Sequence, residues 1–303
     1  MFQFHITDLY QGYWYYVLFL SAVMVFTGYI NDYNISYKIH EKLIHKIKNT
    51  KLLLVIISMV SGILPIPGRV IASAGLLDSL IGKNTPWRKD FGILNYISTH
   101  HYYLWSPIEK SVILPMGALG LSYFQFMGYI WPLLAISFAL LLGFLWLGFP
   151  NISHENIVLP NKNEIPQKIP NPIKYLNFKM LGFITSVFII TNILRNNSHM
   201  LIDIFMGYNF ANLFIVSVTS FILSFILGSS GRFAGIVAGL TTIYGIEYFV
   251  LFFAIQYSGY LISPAHRCNF ITLTYFNTNI KKYVAILLLW CILNISYGVL
   301  TLI

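Results

Sequence analysis

Two arginines stand where an apolar chain is interrupted. Arg69 follows Gly68 in "ILPIPGR" (63–69), and Arg232 follows Ser230 and Gly231 in "ILGSSGR" (226–232). The phrases share Ile-Leu-x-x-x-Gly-Arg. A second pair, "YLWSPIEK" (103–110) and "YLISPAHR" (260–267), shares Tyr-Leu-x-Ser-Pro and ends on a cation three residues after the proline. Ser106-Pro107 and Ser263-Pro264 should break a helix, because proline lacks a backbone donor and clashes with the preceding turn. Irregular backbone at membrane depth persists only where protein or a water-filled cavity satisfies it. A charge there costs roughly 2.5–3.5 kcal/mol on insertion scales. The helix would stop so that amides and carbonyls can face a polar solute. Ser106 and Ser263 are expected to cap the half-helices that follow, whose N-termini carry partial positive charge. Lys110 and Arg267 fall in the first turn of those half-helices, where a cation is unfavourable unless something negative sits beside it. The chemistry suited to this pattern is the binding of a small anion, with a coupling cation on the opposing carbonyls.

Titratable groups gather near the same places. His100, His101, Glu109 and His266 form a candidate coupling or proton-relay group, since imidazoles change charge near neutral pH. Adjacent His100 and His101 point to different helix faces and do not readily ligate one ion, so no metal site is assigned. Cys268 and Cys291 lie in apolar segments and offer neither a disulfide framework nor metal-ligand spacing. Plainer roles stand beside these. A Gly-Arg tip can cap carbonyls or pair with Asp78 or Glu247. Lys110 can pair with Glu109 or snorkel to an interface. The histidines can be packing groups.

The elements that must position these residues are membrane helices. The chain has 303 residues, 57% hydrophobic and only 10% charged, against about 25% charged in a soluble domain. Its mean hydropathy is +0.69. Long apolar runs exclude a transmembrane barrel, whose segments are short and alternating. The order expected is a span at 12–30 and an amphipathic interfacial helix at 36–49, with Ile39, Leu43, Ile44 and Ile47 on one face. Apolar arms at 52–64 and 70–82 follow, too short to cross a core needing about 20 residues. Then come a segment at 91–127 broken at Ser106-Pro107 and a span at 129–149. After a Pro/Asn/Lys-rich linker the order recurs: a span at 178–194, a short segment at 198–207, a hairpin at 209–246 with its break at Gly228–Gly231, a broken segment at 247–277 and a last span at 282–303.

The paired phrases lie 163 and 157 residues apart, nearly one offset, as an internal duplication would give. The expected fold is an all-α polytopic membrane protein with two inverted-topology repeats, each holding a re-entrant hairpin and a broken transmembrane helix. The expected units are residues 1–149, a cytoplasmic linker at 150–177, and an inverted second repeat at 178–303. With the N-terminus outside, fourteen of the nineteen cations fall in inside loops, among them Lys51, Arg88 and Lys282. That follows the positive-inside rule and accounts for the net charge of +9 without nucleic acid. The N-terminus lacks the basic region of a cleavable signal peptide, so the first span is expected to be retained in the cell (inner) membrane.

This order of span, hairpin, broken helix and span, repeated inverted, resembles the ion-transporter superfamily, which includes citrate and dicarboxylate carriers. The phrases "LPIPGRVIASAG", "HHYYLWSPIEKSVILP" and "ISPAHRCNFITLTYF" are similar to an integral-membrane branch related to it. The resemblance implies a secondary transporter, often a homodimer, whose hairpins and broken helices form a moving transport domain. It carries over only the hairpin tips and the Ser-Pro breaks. Where characterised relatives have a Ser-Asn-Thr signature that helps bind sodium and carboxylate, these tips read Pro-Ile-Pro-Gly-Arg and Gly-Ser-Ser-Gly-Arg.

The function expected from the sequence is ion-coupled carriage of a small anion across the bilayer by alternating access. Na+ or H+ would be the coupling ion, and no other cofactor is expected. Gly68, Arg69, Ser106, Pro107, Ser230, Gly231, Arg232, Ser263, Pro264, His266 and Arg267 would line the site. The alternative is a non-transporting or channel-like membrane subunit. A membrane enzyme is disfavoured, because neither Gly-x-Ser-x-Gly nor His-Glu-x-x-His occurs.

Overall fold

Helix α1 (Ile35–Lys46) carries its apolar residues on one side. Ile44 is buried, and Leu43 and Ile47 pack on the core, while Lys42, His45 and Lys46 are exposed. The computed structural model describes residues 35–63, 88–149, 171–176 and 210–303, with the single positions 17, 18, 21, 22, 25, 29, 73, 74, 77, 178, 181, 182, 185, 186 and 189. The expectations for Gly68 and Arg69, for the linker at 150–170 and for the segment at 198–207 lie outside the described residues. The chain is an all-helical membrane-type protein, with no strand among the described residues. Those single positions within the expected spans at 12–30 and 178–194 are helical.

The first described group of helices is α2 (Thr50–Ile63), α3 (Arg88–His100), α4 (Lys110–Leu119) and α5 (Tyr123–Gly143), which runs on through a π turn at Phe144–Gly148. A 3-10 turn, His101–Leu104, follows α3. The second group is α6 (Phe210–Leu227), α7 (Ser230–Tyr244), α8 (Phe249–Ile262), α9 (Arg267–Tyr275) and α10 (Ile280–Leu300).

Two boundaries differ from the sequence expectation. The segment expected to run from 91 to 127 ends at Leu119, and the next helix starts at Tyr123 rather than 129. Gly120 takes φ +68 and closes α4, a conformation that suits glycine. Ser122 and Gln125 then form a capping box, with Ser122 N–H donating to Gln125 Oε1 at 2.8 Å and Gln125 N–H to Ser122 Oγ at 3.3 Å. Hydropathy alone read through this short polar stop.

Three helical stretches among the described residues are long and apolar enough to cross a membrane: Tyr123–Gly148, Ile246–Tyr275 and Ile280–Leu300. The second reaches that length only by including the interruption between α8 and α9. It is also the inner one. Its apolar window is 78% buried, against 33% for each of the other two. Every residue from Phe249 to Leu261 is buried. Exposed Phe124, Trp131 and Trp146 on α5, with Leu288, Leu289 and Ile292 on α10, make the outer apolar surface, as lipid-facing helices require.

Close backbone approaches bind the inner rod. A Cβ on Gly259 of α8 would lie 2.7 Å from the Phe221 carbonyl oxygen of α6. A Cβ on Gly298 of α10 would lie 3.0 Å from Leu251 Cα. Small residues at such crossings let helices gain dispersion contacts where hydrophobic drive is absent.

Cations mark one end of the molecule. Lys51 donates to the Leu145 and Phe149 carbonyls at 3.2 and 2.7 Å. Arg88 donates to the Tyr275 carbonyl at 2.8 Å. Lys282 meets Asp90 at 2.7 Å and the Gly148 carbonyl at 3.2 Å. The starts of α2, α3 and α10 thus share an end with the finishes of α5 and α9. Cations at helix C-termini also complement the dipole there. At the opposite end, Phe249 packs edge-on to Phe126 at 5.8 Å, and Gly298 packs against Leu251. So α3 and α8 start from opposite ends and run toward each other.

Candidate functional site

The two Ser-Pro phrases fold alike. Glu109 N–H donates to the Ser106 carbonyl at 2.9 Å, and His266 N–H to the Ser263 carbonyl at 3.1 Å. Each phrase is a turn with proline in its second position, where the fixed φ suits a turn. Pro107 and Pro264 are exposed, while Ser106 and Ser263 are buried. The next helix begins four residues after each serine, at Lys110 and at Arg267. The expected capping role of Ser106 and Ser263 is therefore corrected. The N-cap positions are Glu109 and His266, neither with a side-chain cap bond. The physical reason is the turn, which carries the chain past the serine before the helix restarts. Ser263 Oγ instead donates to the Phe225 carbonyl and accepts from Ala265 N–H at 3.2 Å.

The tip between α6 and α7 lies against the second break. Gly228 has φ +52, and a Cβ there would lie 2.6 Å from Ala265 C, 2.6 Å from His266 N and 2.7 Å from Ser263 Oγ. Only a residue without a side chain lets the tip come this close. The tip extends over Gly228 and Ser229, and α7 starts at Ser230, earlier than the break expected through Gly231. Helix α7 also packs along α4, the half-helix after the first break.

Side chains satisfy carbonyls that the interruptions release. Tyr257 Oη donates to the His100 carbonyl at 2.9 Å, and Tyr123 Oη to the Trp105 carbonyl at 2.8 Å. Tyr96 Oη donates to the Leu261 carbonyl at 2.8 Å. Asn269 Nδ2 donates to the Leu261 and Ser263 carbonyls at 2.9 and 2.8 Å, and Tyr283 Oη donates to Asn269 Oδ1. In a lipid-surrounded core each such carbonyl would otherwise cost several kcal/mol.

His100 and His266 meet where these interruptions converge. Their Nε2 atoms are 3.4 Å apart. Tyr96 stacks on the His100 ring with centroids 3.7 Å apart, and Tyr260 stacks on the His266 ring at 4.1 Å. His100 Nδ1 is 2.7 Å from the Tyr96 carbonyl, and Tyr260 Oη is 3.0 Å from His266 Nε2. Cys268 joins them: one ligand atom from each of His100, His266 and Cys268 lies within 4.8 Å of the others. The depth follows from Tyr257, which packs on Trp290 at 5.9 Å. Trp290 is ten residues from either end of α10, or about 15 Å at 1.5 Å per residue. The histidine pair therefore sits near the middle of the helical layer.

The expected titrating group divides here. His100 pairs with His266, on the last turn before one break and the last residue of the other. His101 lies apart from that pair, accepting from Trp105 Nε1 at 2.8 Å and packing on Phe138 at 4.8 Å. The cause is the one the sequence indicated, that neighbouring residues leave a helix on different faces. Glu109 is buried at the start of α4, Lys110 is half-buried, Gly231 is buried and Ser230 half-buried, and Arg232 and Arg267 are exposed. The sequence pattern points to none of Tyr96, Tyr257, Tyr260 and Asn269, and gives Cys268 no role. Tyr96 and His100 did carry a signal, an aromatic four residues before a histidine on one helical face.

Two further polar groups are fully buried. Both polar atoms of Gln256 and of Asn294 have no hydrogen-bond partner among the described residues.

A family model described as a protein of unknown function, DUF401, matches residues 1–155, just over half of the chain. The chain belongs to that family. No curated protein and no solved structure matches it.

Proposed function

We propose that the chain is a secondary carrier for a small anionic solute, working by alternating access in the cell membrane as a multi-pass protein with its N-terminus outside. The observation that carries this reading is the convergence of a hairpin tip and two interrupted helices, starting from opposite ends, on one buried polar junction at mid-depth. Paired discontinuities at the midplane of inverted halves are where transporters place their sites. The alike turns at Ser106–Glu109 and Ser263–His266 support a duplication. So does the packing of α2 on α3 and of α6 on α8, which occupy corresponding places in the two halves, residues 1–149 and 178–303. Re-entrant hairpins fit arms such as α2, 14 residues long and so about 21 Å, short of a core near 30 Å.

The sign of the solute rests on α4 and α9. Each starts at a break with a cation as its first residue, Lys110 and Arg267. A cation at the positive end of a helix dipole is favoured when an anion lies beside it. Gln256 and Asn294 supply buried amides without partners among the described residues, which a solute or its water can satisfy. Na+ or H+ drives the cycle. A homodimer would carry this transport domain on a fixed scaffold.

A thermal-shift screen of the purified chain tests anion binding. Inorganic phosphate, sulfate and short mono-, di- and tricarboxylates are added with and without sodium. At least one class should raise Tm, by the linkage of ligand to folded state. Arg69→Ala and Arg232→Ala should remove that rise. If every anion leaves Tm unchanged, or both variants respond like the parent, the proposed site is wrong.

A further inference from the structure

We infer that His100, His266 and Cys268 form a binding site for one soft transition-metal cation of the Zn2+ class, held by two imidazole Nε2 atoms and a thiolate. This does not rest on the carrier reading.

The spacing fits such an ion. Two imidazoles on one tetrahedral zinc, each with Zn–N of about 2.0–2.1 Å, hold their nitrogens about 3.3–3.4 Å apart. The two Nε2 atoms here are separated by 3.4 Å, which matches that spacing. A thiolate at about 2.3 Å would lie roughly 3.5–3.6 Å from each nitrogen. Cys268 Sγ lies within 4.8 Å of a ring nitrogen of each histidine, and the bound ion would draw it in to that distance.

The hydrogen bonds set the ring protons as a metal ligand needs them. His100 Nδ1 faces the Tyr96 carbonyl at 2.7 Å. A carbonyl only accepts, so the proton is on Nδ1, and Nε2 offers a lone pair toward His266. Tyr96 Oη spends its own proton on the Leu261 carbonyl at 2.8 Å. Its oxygen can then accept from His266 Nδ1 at 3.4 Å, the tautomer that leaves His266 Nε2 to accept as well. An outer N–H anchored to a carbonyl or hydroxyl, with the inner nitrogen open, is the usual outer shell of a metal-bound histidine. The Tyr96 and Tyr260 stacks hold both rings in this orientation.

The donor set selects the metal. Imidazole with thiolate suits zinc and copper, not the hard cations Mg2+ and Ca2+. Three protein ligands leave the fourth tetrahedral position to water or an anion. One contact opposes binding: Tyr260 Oη donates to His266 Nε2 at 3.0 Å and must turn away. The site escapes motif reading because its ligands come from two helix breaks far apart in sequence, and His266 and Cys268 do not match a zinc spacing.

The test uses the full chain in detergent, stripped by a chelator and titrated with Co2+, then with Zn2+ in competition. One Co2+ per chain should bind, with the visible absorption of tetrahedral cobalt and a thiolate-to-cobalt charge-transfer band, and Zn2+ should displace it. Cys268→Ser should abolish the charge-transfer band and weaken Zn2+ at least tenfold. His266→Gln should weaken it comparably, and Tyr260→Phe should tighten it. If His266→Gln does not fold, Cys268→Ser, at a half-buried position outside the ring stacks, decides the matter. Absence of stoichiometric binding by the parent, or a Cys268→Ser variant with unchanged band and affinity, would overturn the site. Neither result bears on anion uptake.

Discussion

Gly228→Ala loads the seam between the α6–α7 tip and the second break. Two costs add. A side chain at φ +52 costs about 1–2 kcal/mol in left-handed backbone. The new Cβ would also lie 2.6 Å from Ala265 C and His266 N. Both are backbone atoms that cannot rotate away, and overpacking of this kind costs about 1–3 kcal/mol. The sum is about 2–5 kcal/mol. An unfolding entropy near 2.1 cal/mol/K per residue makes 1 kcal/mol worth about 1.6 °C in a chain of this length. Gly228→Ala should therefore lower the apparent Tm by about 3–8 °C, measured in detergent at a fixed scan rate because unfolding of such proteins is commonly irreversible. Gly128→Ala is the control. It lies within α5, with no atom of the described residues within 4 Å of the added Cβ. Helix propensity then favours alanine by up to about 1 kcal/mol, so Tm should hold or rise slightly. If Gly228→Ala melts as high as Gly128→Ala, the tip does not rest on the break and the reasoning fails.

Three other outcomes follow from the same geometry. Gly259→Ala should cost about 1–3 kcal/mol by overpacking, because its Cβ would meet the Phe221 carbonyl oxygen at 2.7 Å; a Tm equal to that of the parent would contradict the α6–α8 crossing. Asn294→Leu should leave Tm unchanged or higher, since an amide buried without a partner among the described residues loses no bond to them when replaced by an apolar group of similar shape, yet it should slow anion uptake; a large drop in Tm would mean the amide is structurally bonded. Lys282→Met should cost no more than about 1 kcal/mol, with the difference shrinking in high salt, because the Lys282 and Asp90 side chains are 38% and 26% exposed and solvent screens such pairs; a salt-independent loss would refute this.

The breaks at Ser106-Pro107 and Ser263-Pro264 were legible because proline and glycine act locally on the backbone. The end of α4 at Gly120 was not, since apolar residues flank it and its only marks are one glycine and the Ser122–Gln125 box. The capping role given to Ser106 and Ser263 failed because a turn intervenes, and a one-dimensional pattern does not show how many residues a turn consumes. His100 and His266 were both visible as titratable groups near breaks. Their mutual contact was not, because it joins two helices 166 residues apart in sequence. Cys268 looked inert for the same reason. The tyrosines that satisfy released carbonyls were hidden by abundance: with 21 tyrosines in the chain, nothing local distinguishes Tyr96, Tyr123 and Tyr257 from those facing lipid.

Uptake of radiolabelled anions into proteoliposomes is the most direct measurement of the carrier claim. Phosphate, sulfate and short carboxylates would be offered under an imposed sodium gradient, an imposed proton gradient, and neither. At least one anion should accumulate only when a gradient is present, and Gly228→Ala, which disturbs the tip at the junction, should slow it. No gradient-driven accumulation of any of them by folded, correctly inserted protein would contradict the account.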